Sequence, residues 1–155
     1  ALTLLVAAGL AACSSGSAKA IALPTATTGS IQVAVDRTSY TASQAIGVTV
    51  SNTANKTDYY AMTGKSVCTY LQLEEYNASK KTWVLVDGCQ TTNQPHALLI
   101  RHASSLPYTF APGSPANENQ WEPGTYRVAL AYATDSAVSS NILTAYSAGF
   151  TITSS

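Results

Sequence analysis

The sequence is poor in charge. Only 10% of its 155 residues are charged, against about 25% in a typical globular protein, and the formal net charge is zero. No basic cluster is larger than Lys80-Lys81. Proteins that bind nucleic acid need a concentrated positive surface to neutralise phosphates, so this composition excludes nucleic acid as a partner.

Side chains that commonly carry catalysis or bind metals are also scarce. The two histidines, His96 and His102, are six positions apart, which matches no metal-ligand spacing. The chain lacks the Gly-x-Ser-x-Gly elbow of a serine hydrolase. Glu74 and Glu75 are neighbours on a predicted strand, so they should point to opposite faces and cannot act as a catalytic pair. We therefore expect no enzyme activity, no metal and no cofactor.

The sequence has no apolar run long enough for a membrane-spanning helix. Its longest such run, Ala1–Ala12, has about a dozen residues, whereas a spanning helix needs roughly 20. A run of this length is typical of the apolar region of a signal peptide. We interpret residues 1–12 in that way, and we expect the protein to be exported.

The end of this run carries a motif. Leu10-Ala11-Ala12-Cys13 is followed by a small polar stretch and resembles the lipobox of bacterial lipoproteins. The resemblance implies cleavage before Cys13 and acylation of that cysteine. Two or more acyl chains bind a membrane stably, at about 0.8 kcal/mol per buried methylene. We therefore expect a membrane-anchored domain on the extracytoplasmic side, at the cell surface or in the periplasm.

Three cysteines are an awkward number for an exported protein. If Cys13 carries lipid, Cys68 and Cys89 remain, in a compartment where disulfides persist. They sit at the open ends of a predicted hairpin, and a bond between them would close a loop of about 20 residues. Such a bond would contribute on the order of 3 kcal/mol. We predict this disulfide.

The sequence does not determine the register in which the two strands of that hairpin pair. Its polar tip, Asn77–Lys81, is rich in turn-forming residues. A pairing centred on Ala78-Ser79 places Leu73 opposite Val84, and a shift by one residue places it opposite Leu85.

The rest of the chain divides into a linker and one domain. Residues 13–30 comprise the lipidated cysteine and a small, Ser/Thr/Ala-rich stretch that we interpret as a flexible tether. From residue 31 to residue 155, short segments alternate between apolar and polar residues, with turn-forming residues between them. No helical pattern of ten or more residues is present. This pattern predicts an all-β, antiparallel β-sandwich of about seven to nine strands.

Two segments resemble immunoglobulin-like domains. Ile31–Val50, with Tyr40 in its corner, is similar to the first strands of bacterial Ig-like domains, and Glu122–Val128 resembles the tyrosine-corner pattern Asp-x-Gly-x-Tyr-x-Cys. The resemblance implies that Tyr126 packs at the corner and donates a hydrogen bond to upstream backbone. Val128 replaces the cysteine, so the usual inter-sheet disulfide is absent. Pro123-Gly124 independently suits a type II turn, with a positive φ at the glycine.

Aromatic residues are the remaining candidates for binding. Trp121 follows a polar, proline-rich stretch, with Tyr108 upstream. An exposed Trp121 could stack on a sugar or anchor a protein partner. The alternative is that Trp121 caps one end of the sandwich beside the Pro123-Gly124 turn.

We predict a non-catalytic, lipid-anchored Ig-like domain that mediates protein binding or envelope assembly. One alternative is a proteinase inhibitor, with Gln90–Pro95 or Asn77–Lys81 as the loop that enters a protease cleft. Another is a carbohydrate-binding module that uses Trp121. The predicted partners are the membrane, through lipid on Cys13, and a protein or glycan.

Overall fold

A computed structural model describes residues 24–62, 70–86, 97–112, 120–136 and 141–154. The apolar run of residues 1–12 and the predicted sites at Cys13, Cys68 and Cys89 lie outside these ranges. Within them, no helix is long and apolar enough to cross a membrane.

The described chain is all-β, as the alternating pattern predicts. Its eleven strands are β1 (Ile31–Val35), β2 (Ser39–Thr41), β3 (Ile46–Asn52), β4 (Tyr59–Met62), β5 (Leu71–Asn77), β6 (Thr82–Leu85), β7 (Ala97–Ile100), β8 (Ser104–Phe110), β9 (Gly124–Ala133), β10 (Leu143–Tyr146) and β11 (Phe150–Thr153). The number exceeds the predicted seven to nine because β2 and β10 are separate short strands, which pair with β11 and β9 respectively.

The strands form two sheets. The small sheet has the antiparallel order β1-β3-β8. In the large, eight-stranded sheet, β9 is the central strand. Different parts of it pair with four other strands: β4, β5, β10 and β11. Strand β2 runs parallel to β11, and β6 extends the sheet beyond β5. Three strands facing a larger sheet built around β5 and β9 give a β-sandwich.

The core lies between the sheets and follows the alternation of the sequence. Alternate residues of β9, from Tyr126 through Val128 and Leu130, are buried, as are Val33 and Val48 of the small sheet. Side chains of successive residues point to opposite faces of a sheet, so each strand contributes every second residue. Burial of this apolar surface is the main favourable term in folding.

The corner around Tyr126 has the hydrogen bond that the Ig resemblance implies. The Tyr126 hydroxyl donates to the Glu122 carbonyl oxygen at 2.7 Å, and its ring stacks on Phe150 with a centroid distance of 6.0 Å. The predicted type II turn is wrong, because Gly124 begins β9 and its φ lies outside the left-handed region. Its lack of a side chain leaves room for the Glu75 carboxyl: a Cβ would lie 2.8 Å from Oε1 of Glu75, the end of a flexible side chain that would have to move.

The hairpin of β5 and β6 has neither predicted register. Glu75 lies opposite Val84, and the Val86 amide donates to the Leu73 carbonyl oxygen at 2.9 Å. Leu73 therefore lies opposite Val86. The reason is that the turn has four residues, 78–81, whereas the predicted registers assumed a shorter turn.

The side chain of Asn77 holds this turn together. Its Oδ1 accepts hydrogen bonds from the Ser79 hydroxyl at 2.7 Å and from the Lys80 amide at 3.0 Å. Lys81 closes the turn with a φ of 53°, in the left-handed region. Such capping by asparagine favours a compact turn over an extended loop.

The interpretation of residues 13–30 as a tether is wrong for its last part. The Thr27 amide donates to the Tyr146 carbonyl oxygen at 2.9 Å, and the Tyr146 amide donates to Oγ1 of Thr27 at 3.0 Å. The Gly149 amide donates to the Pro24 carbonyl oxygen at 2.8 Å. These hydrogen bonds hold Pro24 and Thr27 against the end of β10 and the residues that follow it, so the domain extends back at least to Pro24.

Candidate functional site

Trp121 is not the exposed platform that one interpretation required. Its side chain is only 3% exposed, and its indole Nε1 donates to the Gln44 carbonyl oxygen at 2.9 Å. The Trp121 amide also donates to the Ala42 carbonyl oxygen at 2.9 Å. A ring buried in this way has no free face for a sugar, so Trp121 fastens the segment before β9 to the β2–β3 connection.

Tyr108 is also part of the sandwich. It lies half-buried on β8, packs against the core, and meets Phe110 edge-on with a centroid distance of 5.0 Å. The two aromatic residues singled out from the sequence therefore form no exposed binding patch.

The outer surface of the small sheet is chemically plain. Its exposed positions carry small or polar side chains, with no aromatic ring among them: Gln32, Ala34, Thr49, Ser105, Pro107 and Thr109. Such a surface offers little area for a specific contact, since aromatic and arginine side chains dominate protein interfaces.

The outer surface of the large sheet is different. We define its aromatic face as the side chains of Glu74, Tyr76, Trp83, Arg127 and Tyr146. The register places Glu74 opposite Arg127, and Tyr76 opposite Trp83, while Tyr146 lies opposite Ala129. Four of them have the parity opposite to the core residues of their strands, and Trp83 of β6 lies opposite Tyr76, so all five share the outer face.

Arg127 is the centre of the aromatic face. Its guanidinium carbon lies 4.3 Å from the centroid of the Trp83 ring and 3.9 Å from that of the Tyr146 ring. Its Nε donates to Oε2 of Glu74 at 2.7 Å. A cation between two ring faces and a carboxylate is held by cation–π attraction and a charge-assisted hydrogen bond together.

The aromatic face continues toward the edge strand β6. Tyr76 and Trp83 pack with a centroid distance of 5.3 Å at a tilt of 55°. Next to them, Val84 and Leu85 are 44% and 40% exposed. Among the described residues, a fixed Trp-Tyr-Arg cluster and the exposed Leu85 side chain thus share the outer face, whereas Val84 lies opposite Glu75 and points to the other side of the sheet.

Two exposed carboxylates elsewhere have structural hydrogen bonds. Oδ1 of Asp58 accepts from the His102 amide at 2.8 Å and lies 2.7 Å from Nδ1 of that ring. The hydrogen bond from the His102 amide lowers the pKa of the Asp58 carboxyl most, and the hydrogen bond with the His102 ring lowers it further. The Tyr40 hydroxyl donates to Oδ1 of Asp36 at 2.5 Å, and this bond is the main reason that the pKa of Asp36 is lowered.

Glu75 points away from the aromatic face, as its position next to Glu74 predicts. Burial, and then the charge of Glu122, raise the pKa of the Glu75 carboxyl above the ordinary glutamate value. Among the described residues, no group of three His, Cys, Asp or Glu side chains is placed to hold a metal ion.

No protein-family model matches the chain, and no curated protein is similar to it. The site must therefore be judged on its own chemistry.

Sequence reasoning missed the aromatic face. The alternation of β9 indicates that Arg127 points outward, and the same reasoning applies to Trp83 on β6. It does not indicate that Trp83, 44 residues before Arg127, and Tyr146, 19 residues after it, bring their rings to the two sides of one guanidinium. A cationic residue at an outward position of a central strand is the signal that could have directed attention there.

Proposed function

We propose that this protein is a non-catalytic, lipid-anchored, extracytoplasmic Ig-like domain that binds a protein partner through its aromatic face. The observation that supports this most is the stacking of Arg127 between Trp83 and Tyr146 on the outer face of the large sheet. Tryptophan, tyrosine and arginine are the side chains that most often dominate binding energy at protein interfaces.

The rigidity of the cluster favours recognition. Arg127 and Glu74 are only 17% and 18% exposed at their side chains, so each already has a fixed position before any partner arrives. A surface ordered in advance loses less side-chain entropy on binding. The adjacent Leu85, which shares the outer face, adds apolar area that a partner can bury.

The predicted anchor would hold this face close to the membrane. If Cys13 is acylated, only ten residues separate it from Pro24, which is docked on the domain. A fully extended chain of that length spans at most about 35 Å. The proposal therefore favours partners within or next to the same membrane over distant ones.

The anchor is tested separately from the binding face. Metabolic labelling with a fatty acid should mark the protein, and Cys13→Ala should remove the label. Label retained in that variant would contradict lipidation at Cys13 and leave the binding proposal intact.

Partner binding is tested by capture from solubilised envelopes with the delipidated domain as bait. Trp83→Ala should weaken capture of a specific protein at least tenfold, because it removes one of the two rings against Arg127. The matched control is Thr49→Ala, an exposed substitution on the plain outer surface of the small sheet. Equal capture by both variants would contradict a role for the aromatic face.

The alternatives have less support from the described residues. Proteases bind inhibitor loops in an extended form, as strands are added to a sheet edge, whereas residues 78–81 form a tight turn. The other inhibitor loop, Gln90–Pro95, lies outside the described residues. For a carbohydrate module, Trp121 is buried, and Arg127 already occupies one face of the Trp83 and Tyr146 rings.

A further inference from the structure

Arg127 uses only part of its hydrogen-bonding capacity. A guanidinium carries its N–H donors in one plane, a single donor on Nε and the others on the two Nη nitrogens. Glu74 accepts from the Nε donor at 2.7 Å. Among the described residues, none accepts a hydrogen bond from either Nη nitrogen of Arg127. The outer edge of the guanidinium is therefore without an acceptor in this part of the chain.

These unused donors reach solvent. Among the described residues, no buried side-chain nitrogen or oxygen lacks a hydrogen-bond partner, so the two Nη nitrogens of Arg127 are not buried. The Arg127 side chain is nevertheless only 17% exposed. Its exposed part therefore includes the Nη edge, whereas most of the rest of the side chain is covered.

The two rings on Arg127 hold this edge in place. The guanidinium carbon lies over the ring of Trp83 and over that of Tyr146. An arginine can stack on aromatic rings and still donate hydrogen bonds in its own plane. Because the rings keep water from part of the guanidinium, an acceptor at the Nη edge forms stronger hydrogen bonds there than with a fully hydrated arginine.

We propose, on the basis of the function proposed above, that the aromatic face recognises an acidic side chain of its protein partner. The aspartate or glutamate carboxylate accepts hydrogen bonds from the two Nη nitrogens of Arg127. The two oxygens of a carboxylate match two parallel N–H donors of a guanidinium, which is the bidentate arrangement that arginine favours. Apolar atoms of the same partner bury Leu85, which shares the outer face.

The charges around the aromatic face suit a group with a single negative charge. Glu74 is the only acidic member of the face, and it balances the charge of Arg127. Lys80 and Lys81 are exposed in the turn just before β6 and make that end of the hairpin positive. A carboxylate adds one negative charge beside Glu74, whereas a phosphoryl group adds about 1.5 to 2. Repulsion by Glu74 therefore favours a carboxylate over a phosphate.

The surroundings of Arg127 also favour a side-chain carboxylate over the carboxylate at a chain terminus. Terminal carboxylates are captured by backbone amides that form a nest. The strand that carries Arg127 is paired on both sides, with β5 on one side and with β10 and β11 on the other. Its amides are used in the sheet, so the Nη donors are what the aromatic face offers to an anion.

Nuclear magnetic resonance of the delipidated protein tests the proposal, because the sequence has only three arginines, Arg37, Arg101 and Arg127. The probe is glutamate with an acetylated amino group and a methylamidated α-carboxyl, so that only its side chain is charged. With nitrogen-15 in the arginines, we expect the Arg127 side-chain resonances to shift saturably. Half-saturation should need at least ten times less probe than for the exposed Arg37 and Arg101. Equal, unsaturated shifts at all three would overturn the proposal.

Three matched probes at the same ionic strength distinguish the sources of the acceptor. The glutamine analogue of the probe is neutral, N-acetylalanine carries only a terminal carboxylate, and inorganic phosphate supplies a group of higher charge. Each should bind at Arg127 more weakly than the glutamate probe. If any of the three binds as tightly or more tightly, the Nη donors serve an amide carbonyl, a chain terminus or a phosphoryl group respectively, and the proposal is overturned.

Two variants give effects of opposite sign, reported by the indole resonance of Trp83. Glu74→Gln keeps an acceptor for Nε but removes the neighbouring negative charge, so it should tighten binding of the glutamate probe roughly threefold. Arg127→Lys keeps the positive charge but removes the planar pair of donors, so it should abolish the saturable response. The indole resonance of the buried Trp121 shows whether each variant is folded. Unchanged or weaker binding in Glu74→Gln, or binding that survives in Arg127→Lys, would contradict the proposal.

The class of ligand and the proposed function can fail independently. Capture of a protein that depends on Trp83, without any preference of Arg127 for the glutamate probe, would overturn this inference and leave the proposed function standing. A selective, saturable response of Arg127 to that probe, without any capture that depends on Trp83, would do the reverse.

Discussion

Nε of Arg127 on β9 lies 2.7 Å from Oε2 of Glu74 on β5, and this ion pair is more than four-fifths buried although it lies on an outer sheet face. Burial comes from the Trp83 and Tyr146 rings on the guanidinium. The pair differs from the surface contact of Arg37 with Asp36, which is 3.8 Å long with more than half of each side chain exposed.

The first prediction follows from that difference. Arg127→Ala removes two ring contacts and leaves Glu74 without its charged partner, so we expect the free energy of unfolding to fall by about 2 kcal/mol. Arg37→Ala should change it by less than about 0.5 kcal/mol, since exposed pairs contribute little. Urea denaturation of the two variants gives the comparison. A similar loss in both would mean that the aromatic face does not stabilise the sheet.

The tyrosine corner gives a second prediction. Tyr126→Phe keeps the buried ring and its stacking on Phe150 but removes the hydrogen bond to the Glu122 carbonyl oxygen. We expect a loss of about 1 kcal/mol in the free energy of unfolding. Tyr146→Phe is the control, because its ring rather than its hydroxyl makes the contact with Arg127. If Tyr126→Phe is as stable as the parent protein, this hydrogen bond contributes nothing to the free energy of unfolding.

Alternation alone predicts the core of this protein well. The residues Tyr126, Val128 and Leu130 repeat every second position, and all three are buried between the sheets. The period of two determines which face of a strand a side chain occupies. It carries no information on which distant strand lies opposite, and so Arg127 is recognisable as outward-facing but its contacts with Trp83 and Tyr146 are not.

Local backbone chemistry explains the other differences. The register of the β5–β6 hairpin depends on the hydrogen bonds that Asn77 accepts within its turn, and several turn lengths suit the same residues. Pro24 and Thr27 bind the end of β10 and the residues after it through main-chain groups and the Thr27 hydroxyl. Such bonds leave no trace in hydrophobic periodicity, so a small, polar segment resembles a free tether.

A third prediction concerns pH. Burial and the charge of Glu122 raise the pKa of Glu75 in the folded protein, so the folded state binds its proton more tightly than the unfolded state does. The favourable contribution is present below the ordinary glutamate pKa and is lost as the pH rises through the folded value. Glu75→Gln should therefore raise the melting temperature near pH 7 and leave it unchanged near pH 3.

Thermal unfolding of parent and Glu75→Gln at the two pH values checks this expectation. The same variant at acid pH is its own control, because a protonated glutamate and a glutamine are both neutral. An equal gain at both pH values would attribute the effect to packing beside Gly124 rather than to ionisation.

The docked segment before β1 gives the last prediction. A Cβ at Gly149 would lie 2.4 Å from Cδ of Pro24, a ring atom that cannot rotate away, whereas a Cβ at Gly29 has its nearest neighbour at 4.0 Å. Gly149→Ala should therefore detach the segment around Pro24 and Thr27, with a loss of about 1–3 kcal/mol in stability. Hydrogen exchange should show faster exchange at the Thr27 and Tyr146 amides, which bond across this contact. Gly29→Ala should leave both amides protected. If Gly149→Ala also leaves them protected, contacts other than that of Gly149 with Pro24 hold the segment.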